Sequence, residues 1–373
     1  MSPELPPSSR LPVEHLAACF SNVTNSYKFY WLLAILECVQ RGQGPVIPLT
    51  DLLAEMVAAV WYPTNYFRLS FGKQDRLGAL TLELGAISGL SLDAPKERVK
   101  AQVLRHLEAG TDLGREIRTL GRFVPYRFLR PFFVAALRGR PDSQVDGLIL
   151  RLSAERFADD DSPCLYRFVT TPQEGIELHP AWLAYLTQHL AIVRDFALWN
   201  LVNYLQRNNP NVPNLAAKLF EPQQRNLSQA RTFWRLAWDG LGTVVCIYSR
   251  QAVPQQGFSL DHFLPWRFVT HDLLWNIIPT TRAVNSAKSD QFPDLATYFD
   301  DFARLQYQAL RAVAAHGRDT LLEDYVLLFR TATVDELCAL PLDRFREALY
   351  NEIAPQVQIA RNMGFVTGWR YTP

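Results

Sequence analysis

The feature that most constrains this chain is residues 180–208, where apolar side chains recur at helical spacing around much of the helix circumference. A helix that is apolar on most sides must be surrounded by other elements, because those side chains lose free energy when they face water. With 373 residues, enough for about two domains, the chain can supply such a core. We therefore predict a mainly α fold with this segment as its central buried helix.

Composition indicates a folded protein without indicating its partner. Hydrophobic residues make up 48% of the chain and charged residues 20%, which argues against extended disorder. The formal net charge is only +1, so attraction to nucleic acid must come from local basic patches. Neither a signal peptide nor an apolar run long enough to span a bilayer is evident. The sequence thus predicts a cytoplasmic protein with no membrane partner.

The cysteines also favour a reducing compartment. They are odd in number, widely scattered and without a CxxC pair: Cys19, Cys38, Cys164, Cys246 and Cys338. This pattern predicts reduced, mostly buried thiols and not a disulfide framework.

Helical spacing and terminal signals predict helices on both sides of the central segment. Thr50 is expected to cap a helix that ends before Pro63. The segment 95–109 begins with Pro95 and ends before Gly110, the asymmetry that helix termini prefer. Helical patterns also cover residues 23–40, 227–239, 295–316 and 342–363, whereas residues 243–248 and 258–262 are β-like.

The order of these segments predicts how the chain divides. Residues 1–12 are rich in Pro and Ser and are expected to form a loose tail, and the acidic run 159–161 is expected to be an exposed loop. The predicted parts are the tail at 1–12, an N-terminal helical domain at 13–160, a helical scaffold at 161–240, a small module at 241–295, and C-terminal helices at 296–373 that pack on the scaffold.

The most basic part of the chain is residues 115–140, where arginines alternate with aromatic residues and Glu116 is the single acid. Arginine can hold phosphates and aromatic rings can stack on bases, so one interpretation is a nucleic-acid contact. The other is a solvated helix face whose aromatic side chains pack into the core. The candidate nucleic-acid-binding residues here are Arg115, Arg118, Arg122, Arg127 and Arg130.

Residues 258–290 contain the most informative motif. It consists of an Asp-His pair followed by a proline, an Asn before two apolar residues and a second proline, and another Asn with a Lys three residues on. These positions are Asp261, His262, Pro265, Asn276, Pro279, Asn285 and Lys288. An isolated Asp-His pair would be weak evidence, but coincidence is a poor explanation of the ordered set.

This segment, about residues 244–292, resembles the HNH endonuclease family, also called His-Me finger or ββα-metal nucleases. The resemblance implies a small ββα-metal module within the helical protein. It also implies that the chain is an enzyme, a phosphodiester hydrolase. Most of the chain has no comparable motif, so the match concerns one module.

The resemblance assigns roles that suit phosphodiester hydrolysis. His262 matches the general base, and a neutral imidazole can take a proton from water near neutral pH. Asp261 and Asn285 match the ligands of one Mg²⁺ or Mn²⁺ ion, which prefers such hard oxygen donors. Asn276 matches the residue that holds the loop and the base. Lys288 is a candidate electrostatic stabiliser that faces the phosphate with Asn285, although a surface lysine is the alternative.

Many relatives contain a structural zinc held by two CxxC pairs. The corresponding positions here are Cys246, Ser249, Thr281 and Val284, so only one of the four ligands is present. Since a tetrahedral zinc needs four ligands, we expect no structural zinc and expect apolar packing in its place. Arg267 and Arg282, which flank the module's central part, are further candidates for nucleic-acid contact.

The predicted function is therefore metal-dependent hydrolysis of nucleic acid, with DNA favoured over RNA, by an endonuclease or nickase. The resemblance makes microbial genome defence an expected context and leaves the helical regions to bind a protein partner. Two alternatives stay open: a catalytically silent nucleic-acid-binding or assembly subunit with the same fold, and an RNA nuclease or toxin.

Overall fold

Helices form most of the regular structure in residues 4–159, 162–171, 173–223 and 225–372, the part of the chain that the computed structural model describes. The predicted mainly α class is confirmed. The chain divides into two units, one of residues 1–210 and 218–222 and one of residues 211–217 and 223–373. Over the described residues, none of the helices combines the length and apolarity that a bilayer crossing requires.

Unit 1 contains the following helices: α1 (Val13–Ala18), α2 (Tyr27–Gln40), α3 (Leu49–Trp61), α4 (Arg76–Ser88), α5 (Lys96–Glu108), α6 (Asp112–Leu120), α7 (Val124–Phe128), α8 (Val134–Leu137), α9 (Asp142–Phe157), α10 (Pro180–Gln188) and α11 (Leu190–Asn208). Its antiparallel sheet consists of β1 (Val46–Pro48), β2 (Tyr166–Val169) and β3 (Gly175–Leu178), in the order β1-β3-β2.

The most buried helices of unit 1 are α2 and α3, and not the segment that the sequence analysis placed at the centre. Residues 180–208 form two helices, because the backbone at His189 leaves helical geometry, with φ −110° and ψ 23°. In α11, Ile192 and Trp199 are about half exposed. Apolar spacing alone does not tell a buried helix from one whose aromatic side chains reach the surface.

One helix start differs from the expectation, and one helix agrees with it. Helix α3 begins at Leu49 after Pro48, so Thr50 lies inside the first turn and does not cap it. The helix α5 agrees with its prediction, and Gly110 has the positive φ of 59° that a glycine favours after a helix.

Near the N-terminus, Tyr185 donates a hydrogen bond to the Pro6 carbonyl. In the acidic run, Asp160 and Asp161 lie outside the described residues.

Unit 2 contains α12 (Ser228–Leu241), β4 (Ser259–His262), α13 (Trp266–Val269), β5 (Ile277–Thr280), α14 (Arg282–Lys288), β6 (Phe292–Pro293), α15 (Leu295–Ala314), α16 (Glu323–Phe329), α17 (Val334–Ala339), α18 (Leu342–Asn362) and β7 (Thr367–Trp369). Strands β4 and β5 pair antiparallel, and β6 and β7 pair parallel. The β-like residues 243–248 form only an isolated bridge, between Val245 and Ala252.

Helices α12 and α15 hold the β4–β5 hairpin from outside the motif. The Trp234 indole N–H of α12 donates to the Ile277 carbonyl at 3.0 Å. The Gln306 amide of α15 contacts the carbonyls of Leu274, Trp275 and Ile277, and Tyr325 donates to its Oε1 at 2.6 Å. These bonds satisfy backbone carbonyls just before and within β5 that would otherwise be buried without partners.

The ring of Phe302 in α15 stacks on Phe263, which follows β4, with 4.0 Å between ring centroids. Both rings are fully buried. We predict that Phe302→Ala lowers the free energy of unfolding of unit 2 by about 3–5 kcal/mol, because it leaves a cavity beside the hairpin. Urea unfolding followed by hydrogen exchange of unit 2 peptides measures this. The exposed Leu327→Ala is the matched control, and an equal effect of the two substitutions would contradict the prediction.

Candidate active site

The candidate site is built on strands β4 and β5 and on helix α14, which follows them directly. The strand register pairs Asp261 with Ile278 and His262 with Ile277. Helix α14 begins at once because the Thr281 hydroxyl accepts a hydrogen bond from the Val284 N–H and so caps the helix. This sequence of elements brings the motif residues near the end of β4.

Asp261 is buried, with only 3% of its surface exposed, and both of its carboxylate oxygens have partners. Oδ2 accepts a hydrogen bond from the Tyr248 hydroxyl at 2.8 Å, and Oδ1 accepts one from Lys288 Nζ at 3.0 Å. Burial, and then the Asp261 charge, raise the pKa of Tyr248 well above its ordinary value. The hydroxyl therefore stays protonated and serves as a donor.

Lys288 lies inside unit 2 and not at its surface. Its side chain is fully buried, and Nζ also donates to the His262 carbonyl at 2.7 Å. Burial lowers the pKa of Lys288, while the Asp261 carboxylate opposes that shift. Since its ammonium is bound to Asp261 and to the backbone of the next residue, Lys288 does not extend beside Asn285 toward solvent in this structure.

His262 follows Asp261 on the strand and contacts a different partner. Its Nε2 lies 2.8 Å from Asp272 Oδ1. Burial lowers the pKa of His262, although Asp272 opposes the shift. Burial would raise the pKa of Asp272, but the contact with His262, the Asn226 N–H bond and the Arg225 charge together lower it. An ionised carboxylate can only accept, so Nε2 carries a hydrogen, and in the neutral ring Nδ1 then keeps its lone pair. Asp272 thus orients the imidazole, and burial favours its neutral form.

The two asparagines are bound to the backbone of β4 and the residues after it. Asn276 is fully buried, accepts from the Leu264 N–H through Oδ1 at 2.8 Å, and donates to the Leu264 carbonyl through Nδ2 at 2.9 Å. Asn285 donates through Nδ2 to the Leu260 carbonyl at 3.4 Å. This contact orients the Asn285 amide, so its carbonyl oxygen is directed away from Leu260.

Two arginines of this unit were predicted to contact nucleic acid, and they differ in exposure. Arg267 is nearly buried, forms an ion pair with Asp290 and lies 5.5 Å from the centre of the Phe365 ring. Arg282 is exposed at the first residue of α14. Of the two, Arg282 is accessible to a ligand.

The five candidates in unit 1 are mostly tied to neighbouring groups. Arg115 is paired with Asp112, and Arg118 donates to the Leu107 carbonyl at 3.1 Å. Asp142 forms ion pairs with both Arg127 and Arg130. Arg122 is exposed.

Three residues near the site were missed by the sequence analysis. Tyr248 contacts Asp261, and Asp272 contacts His262. Arg225 is exposed, with its guanidinium 5.5 Å from the centre of the Trp266 ring, and its charge acts on His262, Asp272 and Lys288. The following N–H, of Asn226, donates to Asp272 Oδ2 at 3.0 Å. No motif spacing links these residues to Asp261 or His262.

A comparison with protein-family models covers this part of the chain. Residues 246–294 match the HNH endonuclease family. The HNH segment contains each of the motif residues described above, and the expected resemblance to that family is confirmed. No curated protein and no solved structure matches the chain.

Of the four positions compared with the relatives' zinc-binding cysteines, only Cys246 is a cysteine in this chain. Cys246 is buried, and its Sγ lies 3.2 Å from the Thr280 hydroxyl. Among the described residues, all five cysteines are free thiols. Within the same described part of the chain, no three His, Cys, Asp or Glu side chains cluster as a metal site.

The buried ion pair gives a test of how the HNH segment is held together. We predict that Lys288→Met destabilises it by about 3–5 kcal/mol, because Asp261 is left as a buried charge. Adding Asp261→Asn removes that charge and should recover part of the loss. Hydrogen exchange of peptides covering residues 259–288 measures both effects. The exposed Lys73→Met serves as a control, and exchange equal to wild type in Lys288→Met would contradict the prediction.

Proposed function

We propose that this chain is a metal-dependent HNH endonuclease that hydrolyses phosphodiester bonds in nucleic acid. The observation that carries the proposal is the imidazole of His262, held by Asp272 and one residue after the buried carboxylate of Asp261, within the segment that matches the HNH family. The β4–β5 pair followed by α14 is proposed to be the ββα-metal module of that family.

His262 is the proposed general base. Its Nε2–H donates to Asp272, so Nδ1 takes a proton from the water whose oxygen attacks phosphorus. The bond from phosphorus to the leaving oxygen then breaks, and that oxygen takes a proton from solvent. Asp272 contributes by fixing the tautomer and the orientation of the ring. Asn276 acts more indirectly, since its two bonds to Leu264 hold the loop after the base.

Asp261 and Asn285 are the proposed ligands of one Mg²⁺ or Mn²⁺ ion, and the donor set fits such an ion. Each carboxylate oxygen has two lone pairs, so the Tyr248 and Lys288 contacts leave Asp261 able to bind a cation. The orienting bond to Leu260 leaves the Asn285 carbonyl oxygen as a second hard donor. When bound, the ion would supply positive charge to the phosphate and the leaving oxygen.

Arg225 is the proposed phosphate-binding cation. A phosphorane carries added negative charge, which a positioned cation stabilises. Lys288 is buried in its contacts with Asp261 and the His262 carbonyl, whereas Arg225 is exposed and its charge acts on His262 and Asp272. The hydrogen bond from the Asn226 N–H to Asp272 holds the residue after Arg225 against the carboxylate that orients His262.

DNA is the proposed substrate on the strength of the family resemblance. The proposed metal site does not itself distinguish DNA from RNA, so RNA is included in the tests. Genome defence, a cytoplasmic location and a protein partner for the helical regions rest on the sequence analysis and remain predictions.

One observation favours the alternative of a catalytically silent nucleic-acid-binding subunit. Lys288 Nζ lies 3.0 Å from Asp261 Oδ1, so the proposed metal ligand already has a resident cation. A metal ion must share the carboxylate with it, which opposes binding by charge repulsion. Nuclease assays separate the two functions, because the silent subunit would bind nucleic acid and cleave nothing.

We predict that the purified chain cleaves nucleic acid with Mg²⁺ or Mn²⁺ and that chelator stops the reaction. His262→Ala should lower the rate at least ~100-fold, because the water loses its base. Plasmid, linear DNA and RNA are incubated in parallel, and the exposed His316→Ala is the control, expected to keep wild-type activity. Cleavage that survives His262→Ala would exclude His262 as the base, and binding without cleavage by the wild type would favour the silent subunit.

We further predict that Arg225→Ala lowers kcat/KM by about 10- to 100-fold, since the transition-state charge loses a cation. Arg225→Lys, which keeps the charge without the planar fork, should retain part of the activity. Steady-state kinetics on the preferred substrate measures the change. Arg235→Ala, an exposed arginine of α12, is the matched control, and identical kinetics in the Arg225 and Arg235 variants would contradict the assignment.

A further inference from the structure

Unit 1 contains a groove of about 1,020 Å³ that the HNH segment does not explain. It is lined by residues after α1, by the segment from α7 to α8, and by the start of α9. This volume lies at the upper end of what a pocket for a single drug-sized ligand needs, roughly 300–1,000 Å³. The groove is therefore large enough to hold a short segment of a polymer as well as a small ligand.

The charge of the groove is one-sided. Five cationic side chains and a single carboxylate line it: Lys28, Arg127, Arg130, Arg138, Arg140 and Asp142. The whole chain has a formal net charge of only +1, so this is a local concentration of positive charge. Such a patch in a nearly neutral protein attracts a polyanion.

The groove cations differ in what they already bind. Asp142 pairs with both Arg127 and Arg130, and their hydrogen bonds lower its pKa to about 2, so it stays ionised. Arg138 and Arg140 are exposed in the segment between α8 and α9. These last two are therefore the cations most accessible to an incoming phosphate.

An exposed aromatic ring completes the surface. Phe123 lines the groove with 55% of its surface exposed, whereas Phe128, Phe132 and Phe133 of the same basic stretch are buried. A base can stack on such a ring only when it is not already stacked in a duplex. An aromatic ring beside arginines therefore favours an unpaired strand.

From these features we infer that the groove of unit 1 binds single-stranded nucleic acid, with Arg138 and Arg140 on the phosphates and Phe123 on a base. The inference rests on the proposed function, since it gives that nuclease a second contact with a nucleic-acid strand. Of the five arginines that the sequence analysis named in unit 1, only Arg127 and Arg130 line the groove.

Binding is measured by fluorescence anisotropy on the full chain with a labelled single-stranded oligonucleotide and chelator, so that no cleavage is needed. Arg138→Gln with Arg140→Gln should weaken binding about tenfold. The slope of log K against log salt should become shallower by about 0.7 for each phosphate that the variant no longer neutralises. Arg98→Gln with Arg105→Gln on exposed positions of α5 changes the net charge equally and should bind as the wild type does.

Two further substitutions test the geometry. Asp142→Asn releases Arg130, while Arg127 stays paired with Asp146, and it removes the groove's carboxylate. It should raise affinity severalfold, a gain that misfolding cannot produce, whereas Asp112→Asn outside the groove should leave affinity unchanged. Phe123→Leu should lower affinity for the single strand about tenfold, and Phe123→Trp should retain it.

Three results would overturn the inference. The first is equal affinity in the Arg138/Arg140 variant and its Arg98/Arg105 control. The second is a preference for duplex over single strand. The third is equal competition by polyglutamate, which would indicate an acidic protein partner.

The proposed function fails separately. If the groove variants change binding while the wild type cleaves nothing with any metal, the groove inference stands and the nuclease proposal does not.

Discussion

The arrangement of the candidate site depends on one buried ion pair, between Asp261 and Lys288. The lysine ammonium joins the carboxylate on β4 to the backbone carbonyl of the next residue, His262, and so ties helix α14 to the end of the strand. Burying two charges is unfavourable unless both are well paired, and here Tyr248 provides a further donor to the carboxylate. The pair therefore stabilises the position of the helix that carries Asn285.

Sequence reasoning was sufficient where the signal is local. The mainly α class, the HNH resemblance and the helix α5 between Pro95 and Gly110 follow from periodicity, motif spacing and terminal residues. It was insufficient where tertiary contacts decide. The division of residues 180–208 at His189, the start of α3 before Thr50 and the burial of Lys288 depend on packing against elements that are distant in sequence.

The side chains of the candidate site show the same limit of sequence reasoning. Spacing put Asn285 and Lys288 on one turn of a helix, which the structure has, but spacing cannot say whether that turn faces solvent or strand β4. The partners Asp272 and Arg225 escape motif reasoning for a similar reason. Asp272 lies ten residues from His262 and Arg225 lies on a loop before α12, so only folding brings them to the imidazole.

The support of the hairpin by Gln306 and Trp234 has a consequence for how this segment could be moved into another protein. The stretch that matches the family ends at residue 294, yet its strand β5 receives hydrogen bonds from a glutamine on α15 and an indole on α12, both outside it. An excised motif would present bare carbonyls and the uncovered ring of Phe263 to water. If this segment were moved into another protein, helices equivalent to α12 and α15 would have to cover β5, so the structural unit is larger than the segment that matches the family.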